Sequence, residues 1–126
     1  MNFTGLFSGY SSNDIETSKQ FYADILGLEL EDAMGGFWFT ISGHRIFVYP
    51  KTDHQAATYT VLNFEVSNIN QAIDELVKRG VTFERYSGMP GDQDERGVMR
   101  GKDVGMGPNI AWFKDPSGNI LALIEE

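Results

Sequence analysis

The five residues GLELE at positions 27–31 are matched by GVTFE at positions 80–84. Each stretch begins with a glycine that can end a helix, continues with apolar residues at alternate positions and ends in Glu. The offset is 80 − 27 = 53 positions, and the same order of predicted elements surrounds both stretches. We therefore predict a duplicated module rather than two unrelated halves.

Each half of the chain is predicted to fold in the order β, α, β, β, β. In the first half, residues 3–10 favour a strand and lead to a polar cluster in which Asn13 or Asp14 can cap a helix. The apolar face of that helix includes Tyr22, and Gly27 ends it. Three further strands are expected at residues 28–31, 36–41 and 45–49.

The second half repeats this order. Residues 59–66 favour a strand, Asn68 and Gln71 form a helix start, and Gly80 ends the helix. Three strands are expected after it, at residues 81–84, 109–114 and 119–124. The sequence thus predicts an α+β fold of two tandem βαβββ modules, at about residues 1–50 and 59–126, within a single domain spanning residues 1–126.

A long insert over residues 87–108 distinguishes the second module, and it holds six glycines and two prolines. Inserts of this length without secondary structure are more often lids or binding loops than connectors. Arg96 and Arg100 lie in it and could clamp an anionic ligand. The acidic stretch from Asp92 to Asp103 partly resembles a calcium loop, but Arg96 occupies a ligand position, so a mixed-charge loop is the better interpretation.

Composition excludes several classes of partner and site. The 126 residues carry 10 basic and 18 acidic side chains, and the net charge of −8 would repel nucleic acid or an anionic membrane surface. The absence of cysteine excludes disulfides, thiolate metal sites and cysteine nucleophiles. The longest apolar run is residues 120–124 and the chain starts without a basic, apolar leader, so we expect a cytoplasmic protein with no membrane partner.

Three motifs occur in combination: DIETSKQFY at residues 14–22 with LGL at 26–28, FEV at 64–66 leading to RGV at 79–81, and IAWFKDPSGNIL at 110–121. Together they resemble the vicinal oxygen chelate superfamily, which includes glyoxalase I, bleomycin-resistance proteins and extradiol dioxygenases. The resemblance implies that the two βαβββ modules form a curled mixed sheet around a cleft. It also implies a homodimer with the cleft near the interface.

The same resemblance implies which positions would hold a divalent metal in lyase and dioxygenase members. Those positions fall on Phe7, on Phe47 or Tyr49 depending on the register of the fourth strand, on Val61 and on Ala122. An apolar wall of this kind does not ligate a hard cation. We therefore expect no metal and no cofactor.

The cleft is expected to be lined by apolar and aromatic side chains instead. The candidates are the residues in register with the lost ligands and their neighbours, with two loop residues: Phe7, Trp38, Phe47, Tyr49, Val61, Asn63, Trp112, Ala122, Arg96 and Arg100. Asn63 is the polar strand residue that could orient a ligand by hydrogen bonds. Catalytic residues are not assigned, since no nucleophile-elbow pattern is present.

Three functions are compatible with these residues. The first is a metal-free protein that binds a small, partly aromatic organic molecule, as in the sequestration of an antibiotic. The second is a metal-dependent lyase or dioxygenase of the same superfamily with relocated ligands, for instance His44 with Glu65 and a loop carboxylate. The third is an interaction module without a small-molecule site, in which aromatic side chains fill the cleft.

Overall fold

The computed structural model describes residues 1–87 and 92–126, which form two compact units. Unit 1 comprises Met1–Gln55 and unit 2 comprises Ala56–Glu126. Residues 88–91, which belong to the predicted insert, lie outside the described residues. A search of the described residues finds no helix with the length and apolar character needed to cross a membrane. That the chain forms a single domain stays a prediction.

Unit 1 contains one helix and one four-stranded sheet. The helix is α1, Ile15–Gln20, and it continues into a π-helical turn at Phe21–Ile25. The strands are β1 (Ser8–Ser12), β2 (Glu31–Ala33), β3 (Gly36–Ile41) and β4 (His44–Pro50). Their order is β1-β4-β3-β2, with β1 parallel to β4 and the other pairs antiparallel.

The helical segment of unit 1 packs on one side of its sheet, where the buried residues of alternate strand positions lie. Tyr22 is fully buried, and its ring centroid lies 5.6 Å from that of Phe37 and 5.5 Å from that of Phe39. The Tyr22 hydroxyl also shares a 2.7 Å hydrogen bond with the Tyr10 hydroxyl. This side of the sheet is therefore the core of unit 1.

Unit 2 repeats this architecture with a regular helix, α2, at Ile69–Lys78. Its strands are β5 (Thr60–Glu65), β6 (Val98–Arg100), β7 (Asn109–Lys114) and β8 (Ile120–Glu125), and a 3-10 turn occupies Gly101–Val104. The strand order is β5-β8-β7-β6, with β5 parallel to β8, as β1 is to β4. The prediction of an α+β fold with two βαβββ modules is confirmed.

Both helices begin and end at residues that the sequence identified. Asp14 and Asn68 each accept a hydrogen bond from the backbone N–H three residues further along, at 3.1 and 3.0 Å. Gly27 and Gly80 follow the helices with φ angles of 72° and 96°, which side-chain-bearing residues rarely adopt. Local signals were therefore sufficient to place both helices.

Two predicted strand boundaries are wrong, because the partner strand decides where a strand starts. The first strand begins at Ser8 rather than at residue 3, since its ladder with β4 starts with the pair Ser8 and Ile46. The second begins at Glu31 rather than at residue 28, since the Leu28 N–H still donates to the Tyr22 carbonyl at 3.0 Å, where the helix ends.

Residues 81–84 do not form the predicted strand, and β6, from the insert, takes that place in the order of elements. The Gln93 side chain provides the physical reason. It accepts a 2.7 Å hydrogen bond from the Tyr86 N–H and donates a 3.0 Å bond to the Glu84 carbonyl, so a side chain takes that carbonyl, while the Glu84 N–H donates a 2.8 Å bond to the Trp112 carbonyl of β7. The expectation of an insert without secondary structure is therefore wrong.

Candidate functional site

Side chains along the strands of unit 1 alternate between the helix side of the sheet and the opposite side. Four aromatic side chains form a row of ring contacts: Phe7, Trp38, Phe47 and Tyr49. We refer to these four residues as the aromatic face. Trp38 is paired directly with Phe47 across β3 and β4, and Tyr49 lies two residues further along β4, which places these three rings opposite the helix.

The rings of the aromatic face are open to solvent. The centroid distances are 4.8 Å from Phe7 to Trp38, 4.7 Å from Trp38 to Phe47 and 6.2 Å from Phe47 to Tyr49. Phe7 is 55% exposed and Tyr49 is 38% exposed, and the other two are half-buried. An exposed row of rings offers apolar aromatic surface for a ligand to contact.

Arg45 lies over part of the aromatic face. Its guanidinium carbon is 4.0 Å from the Trp38 ring centroid and 5.9 Å from the Phe7 ring centroid, within the range of cation–π contacts. Within the ranges 1–87 and 92–126, no carboxylate pairs with this guanidinium group. Arg45 was not among the candidates from the sequence, although alternation along one strand puts residues 45, 47 and 49 on the same side.

Two glycines leave bare backbone beside the rings of β4. Gly9 is paired with Phe47, and a Cβ added at Gly9 would lie 2.8 Å from the Phe47 carbonyl oxygen. A Cβ added at Gly36 would lie 2.1 Å from the Val48 carbonyl oxygen and 3.0 Å from the Tyr49 Cα. Only glycine fits such close backbone approaches, so the rings of β4 have no side chain beside them at these positions.

The corresponding side of the unit 2 sheet is packed rather than open. Trp112 is paired with Ala122 across β7 and β8, and the two residues are 7% and 0% exposed. The Trp112 indole N–H donates a 3.1 Å hydrogen bond to the Thr60 hydroxyl, and Tyr86 packs edge-on against the indole at 5.8 Å. The structure therefore brings Trp112 and Ala122 together, as expected, but in a buried cluster.

Tyr86 is a residue of this cluster that sequence reasoning missed. Its hydroxyl is buried and has no hydrogen-bond partner among the residues that the structure describes. Burial raises the pKa of the Tyr86 hydroxyl, and the negative charge of Glu84 raises it further, so the group is neutral near neutral pH. No sequence signal marks Tyr86, because its burial depends on contacts with distant strands.

The other strand candidates of unit 2 lie on β5, at the edge of the sheet. Asn63 is exposed and is paired with Ala122, which places both on the same side of the sheet as Trp112. Val61 is half-buried and lies at a register shift between Thr60 and Leu62. Asn63 is thus an accessible polar group, whereas Val61 marks an irregularity of the strand.

Arg96 and Arg100 are held by polar groups of unit 2. Arg96 pairs with Asp74 of α2. Arg100 pairs with Asp94 at 2.9 Å and donates a 2.7 Å hydrogen bond to the Asn70 side chain. These contacts link the insert to α2. The guanidinium groups of Arg96 and Arg100, which were expected to bind an anion, are therefore already paired with protein groups.

Asp94 is the anchor of the described part of the insert. Partial burial raises the pKa of the Asp94 carboxyl, but hydrogen bonds from the Val98 N–H, the Arg100 side chain and the Arg96 N–H together lower it below its ordinary value. The Val98 and Arg96 N–H groups each lie 2.9 Å from the same carboxylate oxygen. Asp94 is therefore a structural carboxylate at neutral pH.

The sequence model of one protein family matches residues 8–123: the glyoxalase/bleomycin resistance protein/dioxygenase superfamily. The chain belongs to this superfamily. The resemblance carried by the three sequence motifs is thereby confirmed. Among curated proteins, none matches this chain.

Several solved structures share the fold of this superfamily member. FosX, a genomically encoded fosfomycin resistance protein from Listeria monocytogenes, has a TM-score of 0.69 at 16% identity, over 100% of this chain and 95% of that one. Lactoylglutathione lyase from Agrobacterium tumefaciens has 0.65 at 15%, over 99% and 96%. TnmS3, an antibiotic binding protein from Streptomyces sp. CB03234, has 0.62 at 17%, over 99% and 98%. At these identities the likeness shows a common fold.

The side chains at the positions that the family resemblance assigns to metal ligands do not suit a metal ion. Phe7 and Phe47 belong to the aromatic face, and Val61 and Ala122 lie in unit 2; none of the four has a donor atom in its side chain. Tyr49, the other register for the fourth strand, offers only a phenol. The described residues contain no group of three or more His, Asp or Glu side chains that could hold a metal ion. The residues present therefore do not fit the metal of the lyase and dioxygenase members.

The two histidines lie apart from any such group. His44 begins β4 and is exposed. His54 lies 2.6 Å, through its Nδ1 atom, from the hydroxyl of Ser11. This contact ties the segment after β4 to β1 and engages one ring nitrogen of His54.

Proposed function

We propose that this protein binds a small, partly aromatic organic molecule on the aromatic face of unit 1, without a metal ion. The observation that carries the proposal is the row of four contacting rings that stays open to solvent. A planar ligand placed on these rings gains both apolar burial and ring stacking. Binding surfaces of this kind are mostly apolar with a few placed polar groups, and Arg45 supplies such a group here.

Sequestration of an antibiotic is one form that this binding can take. TnmS3, described as an antibiotic binding protein, supports it because the two chains share their fold over almost their whole length. The apolar side chains at the metal-ligand positions favour binding over the metal-assisted activation of a substrate. A homodimer remains part of the proposal, and light scattering on the purified protein would test it.

The two other functions have less support. A lyase or dioxygenase with His44 and Glu65 as relocated ligands would need a cluster of donors, and the described residues supply none. An interaction module would need aromatic side chains that fill the site, whereas Phe7 is 55% exposed.

The binding proposal is tested by titrating the full-length protein with bicyclic aromatic fragments in a calorimeter. We expect saturable binding with a Kd on the order of 0.1–1 mM, typical of ligands of this size. Trp38→Ala should abolish it, because this change removes the central ring of the row. Tyr59→Ala is the matched control, since Tyr59 is 70% exposed and lies outside the aromatic face. Binding that survives Trp38→Ala would contradict the proposal.

The absence of a metal requirement is tested separately. The protein is purified without chelator or affinity metal, and its elemental content is measured. We expect no divalent metal in stoichiometric amount and no change in melting temperature on addition of nickel, zinc, manganese or iron. One bound metal ion per chain would show that the ligands have moved, and lyase or dioxygenase chemistry would then be sought.

A further inference from the structure

Arg45 lies beside the aromatic face, and among the described residues nothing accepts a hydrogen bond from its guanidinium group. Its side chain is exposed, and its guanidinium group stacks on Trp38 at 4.0 Å. Stacking occupies the flat side of the guanidinium group and leaves its N–H donors free in the plane. Across the described residues no acceptor pairs with those donors, whereas Arg96 and Arg100 use theirs on Asp74 and Asp94.

The position of Arg45 along β4 fixes how its charge relates to the rings. Arg45 precedes Phe47 by two residues and Tyr49 by four, and side chains on one side of a strand are about 7 Å apart. The Phe47 and Tyr49 rings are 6.2 Å apart and within 22° of parallel, and both stand on the same side of β4 as Arg45. A ligand in contact with these two rings reaches Arg45 only if its charged group lies close to its own ring system. The charged group must be attached directly to the ring edge or through about one bond.

The charges around the row limit the charge of the ligand. Glu31 is exposed and is paired with Trp38 on the β2 side, so it lies on the same side of the sheet as the aromatic face. The net charge of the chain is −8. The Glu31 carboxylate and the net charge both oppose a second negative charge on the ligand. They therefore favour a monoanion over a dianion such as a phosphate monoester.

We infer that the ligand of this protein is a planar aromatic carboxylate, whose rings stack on the aromatic face and whose carboxylate pairs with Arg45. The planar fork of donors in a guanidinium group matches the two oxygen atoms of a carboxylate. The inference rests on the proposed function, because it names the class of molecule that the aromatic face binds.

Four probes that share the naphthalene ring test the inference by calorimetry on the full-length protein. They are 2-naphthoate, neutral 2-naphthamide, 2-naphthylmethylammonium and 2-naphthyl phosphate. We expect 2-naphthoate to bind about tenfold more tightly than 2-naphthamide, as a charge-assisted hydrogen-bonded pair allows. The ammonium and phosphate probes should both bind more weakly than 2-naphthoate.

Two variants of equal charge assign the preference to one residue. Arg45→Gln should lower the affinity for 2-naphthoate to that for 2-naphthamide measured on the same variant, and a far-ultraviolet circular dichroism spectrum like that of the parent shows that the variant is folded. Arg79→Gln is the control, because it removes one positive charge from the exposed end of α2, where Arg79 has a 3.9 Å contact with Glu75. This control should retain the preference for the carboxylate.

The outcomes separate the inference from the proposed function. Equal binding of 2-naphthoate and 2-naphthamide, or tightest binding of the ammonium or phosphate probe, overturns the carboxylate class and leaves the proposed function standing. A preference that persists in Arg45→Gln overturns the role of Arg45. Absence of saturable binding for all four probes overturns both the inference and the proposed function.

Discussion

The two sheets place a tryptophan at corresponding positions and use it in opposite ways. Trp38 on β3 is paired with Phe47 on β4, and Trp112 on β7 is paired with Ala122 on β8. The small Ala122 lets the indole of Trp112 lie over it, and the indole N–H bonds to Thr60 at 3.1 Å. The Trp38 indole has a bulky ring beside it, and it stays half-buried.

The residue opposite the tryptophan is small in the packed face of unit 2 and bulky in the exposed row of rings in unit 1. In unit 2 the indole is 7% exposed and packs with Ile120, Ala122 and Tyr86. In unit 1 the indole instead supports a cation–π contact with Arg45, and the Trp38 N–H has no protein acceptor within the described part of the chain. The two modules thus share one topology, but unit 2 buries its tryptophan ring and unit 1 leaves its tryptophan ring half-buried.

The largest change in the free energy of unfolding is expected when a tryptophan is replaced by alanine. Trp112→Ala should lower the free energy of unfolding by about 3–5 kcal/mol, because it empties a packed cluster. Trp38→Ala should lower it by only about 1 kcal/mol, because the ring is half-exposed. Urea denaturation of both variants measures the difference. Equal losses would abolish the distinction between the two faces.

The duplication itself is tested at the glycines that end the helices. Gly80→Val should lower the free energy of unfolding by about 1–2 kcal/mol, because φ is 96° and a Cβ there meets nothing within 4 Å, so the cost is that of the backbone conformation. Gly27→Val should behave alike, since φ is 72°.

The matched control for both glycine variants is Gly5→Val. A Cβ at Gly5 also meets nothing within 4 Å, and Gly5 is not among the residues with positive φ. This variant should melt like the parent protein. Identical melting of all three variants would remove the support that the glycines give to the duplicated module.

A smaller effect of opposite sign is expected at the packed face of unit 2. Tyr86→Phe removes a buried hydroxyl that has no partner among the described residues, and it should raise the free energy of unfolding by about 1 kcal/mol. Chemical denaturation of parent and variant gives the value. A loss of stability would mean that the hydroxyl is hydrogen-bonded in solution.

A weaker effect is expected from the pH dependence that Asp94 of unit 2 contributes. The folded protein holds the pKa of Asp94 below its ordinary value of 3.8, so this carboxylate stabilises the fold at pH values above 3.8. That contribution is lost as the pH falls through the lower pKa of the folded state. Asp94→Asn should therefore be less stable than the parent near neutral pH, and the difference should shrink in acid. Denaturation series at several pH values would show a constant difference if the carboxylate played no such part.

Local signals carried most of the fold prediction, because they need only neighbouring residues. The cap at Asn68, the strand at residues 36–41 and the glycine after each helix all lie where the sequence placed them. The four rings of the aromatic face were also among the candidates, because the family resemblance assigned Phe7 and either Phe47 or Tyr49 to the lost metal-ligand positions and Trp38 to their neighbourhood.

The missed features depend on residues that are distant in sequence. The contact of Arg45 with Trp38 needs the pairing of β3 with β4. Replacement of the expected strand at residues 81–84 by β6 depends on the Gln93 side chain, nine residues from Glu84. The burial of Tyr86 depends on Trp112. Neither propensity nor periodicity contains such tertiary contacts.

We expect a ligand to bind at Trp38 and to leave Trp112 undisturbed. The chain has two tryptophans, so a nitrogen–proton correlation spectrum shows two indole signals, which Trp38→Phe assigns. Titration with 2-naphthoate should shift the Trp38 indole signal in a saturable way and leave the Trp112 signal, bonded to Thr60, in place. A shift confined to the Trp112 signal, or no shift of either, would contradict the account.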